Sequence, residues 1–294
     1  MRPARSSRTA EVMALIRALE TAEPQDRRLF ADPFAAGFLA PPLRGLARSA
    51  ALPVMRRLLC RYLDRRLPGA RSSGIARTRL IDDWASAHVA AGARQVVLLG
   101  AGFDTRAWRL PAFADLPVFE VDHPATAAAK RRRFSSAGLA GARVIPVTLD
   151  FDRAALPDAL ARAGFYAARQ TLVIWEGVTN YLTGEVVGAV IRWAGSLAAG
   201  SGFIFTYIDA AVLGDPGRFA GAATILREVA ASGEPWTFGF DPAALPAYLD
   251  ERGLTLVEDL GSDQYRARYF GSRAGSLHGY AFYRAVNARV ERHA

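Results

Sequence analysis

The sequence predicts a doubly wound α/β protein in which a mostly parallel, seven-stranded sheet follows a helical N-terminal cap. Three observations support this class. The first 92 or so residues carry apolar positions at helical spacing, and short apolar runs alternate with helical patterns from Gln95 onward. Hydrophobic residues make up 51% of the 294-residue chain, enough for a sizeable core. We therefore expect a cap at residues 1–92 and an α/β domain at residues 93–294.

The cap is predicted to be a set of helices separated by proline and glycine. Residues 9–23 have apolar side chains at helical spacing, and the pairs Asp32-Pro33, Pro41-Pro42 and Pro68-Gly69 mark breaks. One or two amphipathic helices are expected between the last two breaks. A further helix, roughly Ile75 to Ala90, leads into the sheet.

Seven apolar runs are predicted to form the strands of the sheet. They cover residues 95–99, 117–121, 143–147, 171–176, 201–208, 254–260 and 279–286. Helical patterns separate the first five runs, at residues 105–112, 126–137, 154–163 and 185–198. Alternation of this kind is typical of parallel strands joined by right-handed crossovers. Residues 209–241 are less regular, with a helix near 218–231, and we expect them to form an insertion or lid near the site. A helix near 242–252 follows.

The charge and the cysteine content bear on whether the protein binds nucleic acid and whether it contains a disulfide. The net charge is +9, which would suit a nucleic-acid partner, but almost every basic residue is arginine and alanine is abundant, as in GC-rich coding sequences. We interpret the one dense run, Lys130 to Arg133, as a solvated helix face rather than a phosphate-binding patch. Cys60 is the only cysteine, so no intramolecular disulfide can form, and we expect it to be a packing residue.

Neither a metal site nor a membrane segment is predicted. The four histidines, His88, His123, His278 and His293, lack ligand spacing. The stretch from Trp193 to Ile208 is free of charge but too short to span a bilayer. No apolar segment typical of a signal peptide precedes Glu11, so we expect a cytoplasmic protein.

The loop after the first predicted strand is rich in glycine. Gly100-Ala101-Gly102 lets the backbone turn sharply and approach a ligand closely, and the helix that follows offers free N–H groups. The same pattern also occurs in nicotinamide and flavin enzymes. A full G-x-G-x-x-G is missing because Arg106 falls near the place of the third glycine, which favours a ligand without phosphates.

Acidic residues follow the second and third predicted strands. Asp122 can accept hydrogen bonds from both ribose hydroxyls of an adenosine, and Glu120, two residues earlier, would point to the same face. We prefer Asp122, although an acid here can also cap the next helix. Asp150 could bind an adenine amine with Phe151 against the ring, or could be a helix N-cap.

The fourth predicted strand ends in Glu176, followed by Gly177 and Tyr181. A carboxylate at a buried strand end needs a partner, and a cationic ligand would supply one. Tyr181 could place its hydroxyl near a reacting group, or could simply be a half-buried aromatic residue. Since ligands bind at the carboxyl ends of strands in open α/β sheets, these residues predict a cradle for an adenosine joined to an amino acid.

The chain resembles the leucine carboxyl methyltransferase-like family, and in particular a bacterial branch of it. The resemblance rests on Val97–Arg106, Trp108–Leu110, Phe119–Asp122 with Pro124 and Lys130, Asp150-Phe151, and Glu176–Leu182 apart from Asn180. Upstream matches are Ser7–Ala10, Arg17-Ala18, Leu29–Pro33 and Ala76–Asp82. The family implies a class I methyltransferase fold and S-adenosyl-L-methionine as cofactor.

The resemblance also implies roles for individual residues. Arg77 would bind the carboxylate of the cofactor or of the substrate, and either Arg77 or Arg17 could orient a carboxylate acceptor. The predicted catalytic residues are Arg77 and Tyr181. The predicted cofactor-binding residues are Arg77, Gly100, Ala101, Gly102, Thr105, Arg106, Glu120, Asp122, Asp150, Phe151, Glu176 and Gly177. The predicted substrate-binding residues are Arg17, Tyr181, Tyr207 and Trp236.

The expected reaction is O-methylation of a small molecule, on a carboxylate rather than a hydroxyl, in bacterial secondary metabolism. No nucleic acid or membrane partner is expected, while a homo-oligomer is left open. Two alternatives to the methyltransferase hypothesis are kept: a nicotinamide-dependent oxidoreductase and a non-enzymatic nucleic-acid-binding protein. The sequence identifies neither the acceptor nor the attacked atom.

Overall fold

A computed structural model describes residues 8–135, 143–150 and 155–291 of the protein. The seven strands are β1 (Gln95–Leu99), β2 (Val118–Asp122), β3 (Val144–Thr148), β4 (Thr171–Trp175), β5 (Gly202–Ile208), β6 (Leu254–Gly261) and β7 (Tyr283–Val290). The α-helices of the described residues are α1 (Arg8–Thr21), α2 (Pro41–Ser49), α3 (Pro53–Arg66), α4 (Ala70–Ala90), α5 (Arg106–Arg109), α6 (Pro124–Ser135), α7 (Leu156–Arg162), α8 (Gly184–Gly195), α9 (Ala211–Gly214), α10 (Ala222–Ala231), α11 (Leu245–Asp250) and α12 (Ser262–Phe270).

The strands form one sheet in the order β3-β2-β1-β4-β5-β7-β6. The first five strands are parallel, and β7 lies antiparallel between β5 and β6. This confirms the predicted doubly wound, mostly parallel sheet of seven strands. Strand β1 is completely buried because both of its faces are covered, which is why its sequence is continuously apolar rather than alternating.

Helices cover both faces of the sheet. One face packs Val97, Phe119 and Trp175 against α7, α8 and α11. The other packs Leu98 and Ile174 against α4, α5 and α12. Helix α4 therefore contacts the sheet directly, and its long run of buried residues extends from Ser72 to His88.

The end of the chain differs from the sequence prediction. The predicted strand at 279–286 is wrong over its first four residues, since β7 begins at Tyr283. Tyr280 and Phe282 belong instead to an apolar cluster with Ile208 and Val212, beneath residues 209–241. Helix α12 was not predicted, because Arg266 and other polar residues interrupt its apolar pattern.

The cap has an apolar cluster of its own. Ala14, Leu19 and Phe38 pack around Phe103, which belongs to the loop after β1, and Cys60 packs against this cluster as predicted. Phe103 therefore joins the cap to the edge of the sheet where the site residues lie. Within the described ranges, no helix combines the length and apolar character needed to cross a membrane.

Candidate functional site

The glycine loop follows β1 at the point where the strand order reverses, with β2 on one side and β4 on the other. Ligands bind at such switch points in open α/β sheets. Gly100 and Gly102 have φ angles of +62° and +44°, which only glycine adopts without strain. The Ala101 amide donates to the carbonyl of Val121, at 3.1 Å, so the loop is fixed to the end of β2.

Gly100→Ala is expected to destabilise the protein more than the same change at another glycine with positive φ. A Cβ at Gly100 would lie 2.4 Å from Cγ2 of Val178, whereas one at Gly164, where φ is +87°, would meet nothing within 4 Å. Gly164→Ala should therefore lower the free energy of unfolding by about 1–2 kcal/mol, through the strain of the left-handed backbone alone. Gly100→Ala should lower it by a further ~1–3 kcal/mol, because the new methyl group overpacks against Val178.

Urea denaturation of the Gly100→Ala and Gly164→Ala variants measures this difference. The double variant Gly100→Ala/Val178→Ala should recover part of the loss, because the shorter side chain relieves the contact with the new methyl group. Equal costs at the two glycines, or no recovery in the double variant, would contradict the assigned role of the Gly100–Val178 contact.

Asp122 holds the glycine loop from the end of β2. Its Oδ2 accepts a hydrogen bond from the Gly102 amide at 2.6 Å, and its Oδ1 accepts one from the His123 amide at 2.7 Å. The carboxylate does not cap α6; the ring Nδ1 of His123 does so by accepting from the Ala125 amide at 3.2 Å. Burial raises the pKa of Asp122 above its ordinary value, despite these two donors.

Glu120 is engaged within the protein. Lys130 donates to Glu120 Oε1 at 2.7 Å and to the carbonyl of Asp104 at 2.7 Å, and its ammonium lies 5.2 Å from the ring centre of Trp108. Burial raises the pKa of Glu120, while Lys130 opposes that rise. Of the two acids on β2, Asp122 is therefore the one beside the loop, and Glu120 is paired with a cation.

The interpretation of Lys130 to Arg133 as a solvated helix face is wrong in part. Lys130 is only 5% exposed and lies against the sheet. Arg133 donates to the carbonyl of Phe38 and lies 4.8 Å from the ring centre of Phe103. Only Arg131 and Arg132 are exposed.

A cavity of about 210 Å³ lies beside Asp122, between the sheet and α6. The residues that line it are Ala101, Trp108, Glu120, Asp122, Ala127, Lys130, Arg131, Val144 and Pro146. The cavity borders the Asp122 carboxylate and one residue of the glycine loop.

Glu176 closes the other side of the glycine loop. Its Oε1 accepts from Nε of Arg77 at 2.8 Å, and its Oε2 pairs with Nη2 of Arg106 at 2.9 Å. Burial raises the pKa of Glu176, but the charges of Arg106 and Arg77 outweigh burial and hold it below its ordinary value. The cation that we expected from a ligand is thus already supplied by two arginines of the protein.

Four arginines and four carboxylates form a charge-balanced network around this loop. The cations are Arg17, Arg77, Arg106 and Arg109, and the anions are Asp32, Asp82, Asp104 and Glu176. Arg106 touches three of the carboxylates, and although burial raises the pKa of Asp104, the charge of Arg106 lowers it to about 2. The sequence alone predicts no role for Asp32, Asp82, Asp104 or Arg109, although all four lie in the segments that carry the family resemblance.

Arg77 has a free end. Its guanidinium lies 4.7 Å from the ring centre of Tyr283, and its Nε is held by Glu176. Within the described residues, no oxygen accepts from its terminal nitrogens, and their one hydrogen-bond partner is the sulfur of Met13 at 3.9 Å. The side chain can therefore bind a further anion without breaking its pair with Glu176.

Tyr181 and Trp236 lie near one another beyond β4. The amide of Thr237 donates to the carbonyl of Asn180 at 2.8 Å, which holds residues 209–241 against the loop that follows β4. The ring of Trp236 packs edge-on against Tyr283, with ring centres 6.2 Å apart. Burial raises the pKa of the Tyr181 phenol to about 12.

Several predicted site residues are engaged by other groups of the protein. Arg17 donates to Asp32 at 2.8 Å and to the carbonyl of Phe103 at 2.6 Å, so it joins the cap to the glycine loop. Thr105 is buried and donates to Asp32 at 2.7 Å. Tyr207 is completely buried and donates to Asp259 at 2.7 Å. Asp150 is half-buried just after β3, and Phe151 lies outside the described residues.

Comparisons with known proteins agree with this architecture. Residues 10–195 match the family model described as leucine carboxyl methyltransferase. The chain is 34% identical over 233 residues to a protein of Mycolicibacterium gilvum, covering 75% of this chain and 72% of that protein. It is 33% identical over 193 residues to a Bacillus subtilis protein, covering 63% of this chain. Both relatives are provisionally named S-adenosyl-L-methionine-dependent methyltransferases.

The alignments do not span all of these relatives. They cover 62% of the Bacillus subtilis protein and 64% of a similar Frankia alni protein, which is 38% identical over 199 residues. Among solved structures, a provisionally named methyltransferase of Thermobifida fusca has a TM-score of 0.58 at 19% identity, covering 93% of this chain and 97% of that one. A DUF574-family protein of Streptomyces avermitilis has a TM-score of 0.53 at 20% identity, covering 93% and 96%.

The strand order, with β1 and β4 adjacent at the reversal point and β7 antiparallel between β5 and β6, defines an α/β fold of the class I methyltransferase type. The match over residues 10–195 then places the protein within this class. The chain belongs to the leucine carboxyl methyltransferase family.

Proposed function

We propose that the protein transfers the methyl group of S-adenosyl-L-methionine to a carboxylate oxygen of a small molecule. The observation that carries this proposal is the free end of Arg77, beside Glu176 and near the glycine loop. An arginine fork binds carboxylates through two parallel hydrogen bonds. Either the cofactor or the acceptor brings such a carboxylate to this position.

The residues around the loop fit the cofactor. Asp122 has lone pairs left beyond its two amide donors, and hydroxyl donors from a ribose would offset the burial that raises its pKa. Glu176 is held ionised and could accept an ammonium group on its remaining lone pairs. A Cβ on Gly177 would meet only the Tyr283 hydroxyl, at 3.8 Å, so the backbone there borders open space.

Each of these groups would hold a different part of the cofactor. Asp122 would bind the ribose, Glu176 the amino group, and the Gly100–Gly102 backbone the methionyl part. Asp150 and Phe151 remain predicted contacts of the adenine.

The chemistry requires little beyond alignment and the exclusion of water. When bound, the cofactor supplies an electrophilic methyl group on its sulfonium. Tyr181, with a pKa near 12, stays protonated at neutral pH and would donate a hydrogen bond rather than act as a base. The ring of His123 is engaged through Nδ1 at the start of α6. An acceptor that arrives already ionised, as a carboxylate does, suits these residues better than a phenol.

The nicotinamide hypothesis is disfavoured by the side chain of Arg106. Arg106 lies next to the position of the third glycine, which is Thr105, and is committed to three carboxylates. Thermal-shift measurements with S-adenosylhomocysteine and with NAD separate the two classes, because a ligand that binds only the native state raises its melting temperature. A role in secondary metabolism, a small-molecule partner and a homo-oligomer remain predictions.

The acceptor class can be tested with a panel of small acids. The protein is incubated with methyl-labelled S-adenosylmethionine and with matched carboxylic acids, phenols and amines, and products are detected by mass spectrometry. Label is expected in the carboxylic acids only, and mild base should release it as methanol, because methyl esters hydrolyse whereas aryl ethers and N-methyl groups do not.

A base-stable product from phenols or amines, without turnover of the carboxylic acids, would exclude a carboxylate acceptor. It would still support the assignment of methyltransferase activity. A melting temperature that rises with NAD but not with S-adenosylhomocysteine would exclude both the carboxylate acceptor and the methyltransferase activity. The variant Arg77→Gln keeps a polar side chain but loses the fork, so turnover should fall at temperatures where the melting curve shows that the variant is still folded.

A further inference from the structure

The outward side of α3 carries a stripe of exposed apolar side chains. Val54, Leu58 and Tyr62 follow one another at intervals of four residues and are 66%, 53% and 63% exposed. Residues four apart lie on one side of a helix, so this stripe extends over about 12 Å. Of the eight large hydrophobic side chains that are exposed in the described chain, five lie between Leu46 and Tyr62. Clustering of this kind marks an interaction surface rather than scattered surface residues.

A row of arginines runs beside the stripe with the same period. Arg57, Arg61 and Arg65 are all exposed. In the ranges that the structure describes, none of the three has an ion pair or a side-chain hydrogen bond. The only acid of the helix, Asp64, is engaged by Arg71 at 2.7 Å. The outward face is therefore apolar and cationic, with no acid of its own left unpaired.

Helix α3 is fixed in this orientation by its inner side. Arg56 is only 8% exposed; it donates to the carbonyl of Ala22 at 2.9 Å and pairs with Glu23 at 3.0 Å. Leu59 and Leu63 pack against the apolar cluster of the cap. The exposed side chains cannot turn inward without breaking these contacts, so the face is a constant feature of the surface.

We propose that this α3 face, formed by Val54, Arg57, Leu58, Arg61, Tyr62 and Arg65, binds an acidic amphipathic helix of a partner protein. The apolar stripe matches the apolar positions of such a helix, which repeat every three or four residues. The arginine row matches a parallel row of carboxylates, which guanidinium groups bind with two hydrogen bonds each. The net charge of +9 favours encounter with an acidic partner.

Other occupants fit this face less well. A second copy in a symmetric contact would bring arginine rows against one another, and like charges that face each other across an interface are destabilising. A nucleic acid would pair with the arginines but leave the apolar stripe in water. A bilayer would take up the stripe, but the arginine row lies directly beside it, so its charged groups would have to extend back to the headgroups.

The test uses the full-length protein and a synthetic helical peptide with leucine and glutamate rows at four-residue spacing. Fluorescence anisotropy is expected to show binding in the micromolar range, and Arg57→Glu/Arg61→Glu should weaken it at least about tenfold. A peptide with lysine in place of glutamate should bind this variant better than it binds the natural protein. The matched control is Arg162→Glu/Arg227→Glu, which makes the same change in net charge on other exposed helices and should leave affinity within about twofold.

Three results would overturn the proposal. A peptide of the same composition in scrambled order could bind equally well, which would show that charge alone acts. Vesicles of phosphatidylglycerol could bind the protein through the same two arginines while the peptide does not. Sedimentation could show a dimer that Leu58→Glu dissociates. Melting temperatures and affinities for S-adenosylhomocysteine should be unchanged in these variants, which separates this surface from the proposed methyl transfer.

Discussion

Replacing Asp122 by alanine is expected to weaken the binding of S-adenosylhomocysteine by at least about 100-fold. Two hydrogen bonds from ribose hydroxyls to a charged group contribute roughly 1.5–3 kcal/mol each, and tenfold in affinity corresponds to about 1.4 kcal/mol. The loss should be larger than this sum, because Asp122 also fixes the Gly102 amide at 2.6 Å and so shapes the glycine loop.

Isothermal titration calorimetry measures the affinity, and Asp122→Asn separates the two roles of this side chain. An asparagine keeps one acceptor oxygen for the Gly102 amide but loses the charge. Intermediate affinity in the asparagine variant is therefore expected. Asp158→Ala, at an exposed position in the first turn of α7, provides a control with the same loss of charge. Unchanged affinity in Asp122→Ala would disprove contact with the ribose.

Arg106→Met is expected to destabilise the fold by about 3–5 kcal/mol, the usual cost of removing one partner from a buried ion pair. Methionine is also unbranched but carries no charge, so it leaves Asp104 without its nearest cation and removes one of the two arginines that pair with Glu176. The matched control is Arg66→Met, because Arg66 is exposed and its contact with Glu228 is 3.9 Å long. Exposed pairs of this kind contribute about 0–1 kcal/mol.

The destabilisation caused by Arg106→Met should also depend on pH. The pKa of Asp104 is lowered to about 2 and that of Glu176 is lowered from 4.5, so both carboxylates stabilise the native state above their ordinary pKa values. This contribution is lost as the pH falls through about 4 toward 2. Urea titrations should show that the difference in free energy of unfolding between the natural protein and the variant becomes smaller over this pH range. A gap that is constant from neutral pH to the acid limit would argue that Arg106 acts through packing alone.

The sheet was largely predictable because its signal is local. Strands β1 and β4 are buried on both faces, so each is a short, continuous apolar run, and the alternation with helices predicts parallel order. The end of the chain was harder to predict. Tyr280 and Phe282 are as apolar as strand residues, but they fill space beneath residues 209–241, and sequence alone does not show that this space exists.

The candidate site was predictable in its outline but not in its contacts. The loop and the acids stand after strands, where the topology requires ligand-binding residues to lie. Their partners come from far along the chain: Arg77 and Glu176 are 99 residues apart, and Thr105 and Asp32 are 73 apart. No periodic pattern connects residues at such separations. The sequence therefore indicated a cationic ligand for Glu176, where the folded chain places its own arginines.

The charge network around the glycine loop has a consequence for how the chain can be divided. A cut after residue 92 would leave Arg17, Arg77, Asp32 and Asp82 on one fragment, and Arg106, Arg109, Asp104 and Glu176 on the other. Each fragment would expose charged side chains that are mostly buried in the intact protein, and Phe103 would lose its apolar surroundings. We therefore expect neither segment to fold by itself, because the N-terminal helices help to bury the arginine and carboxylate groups around the loop.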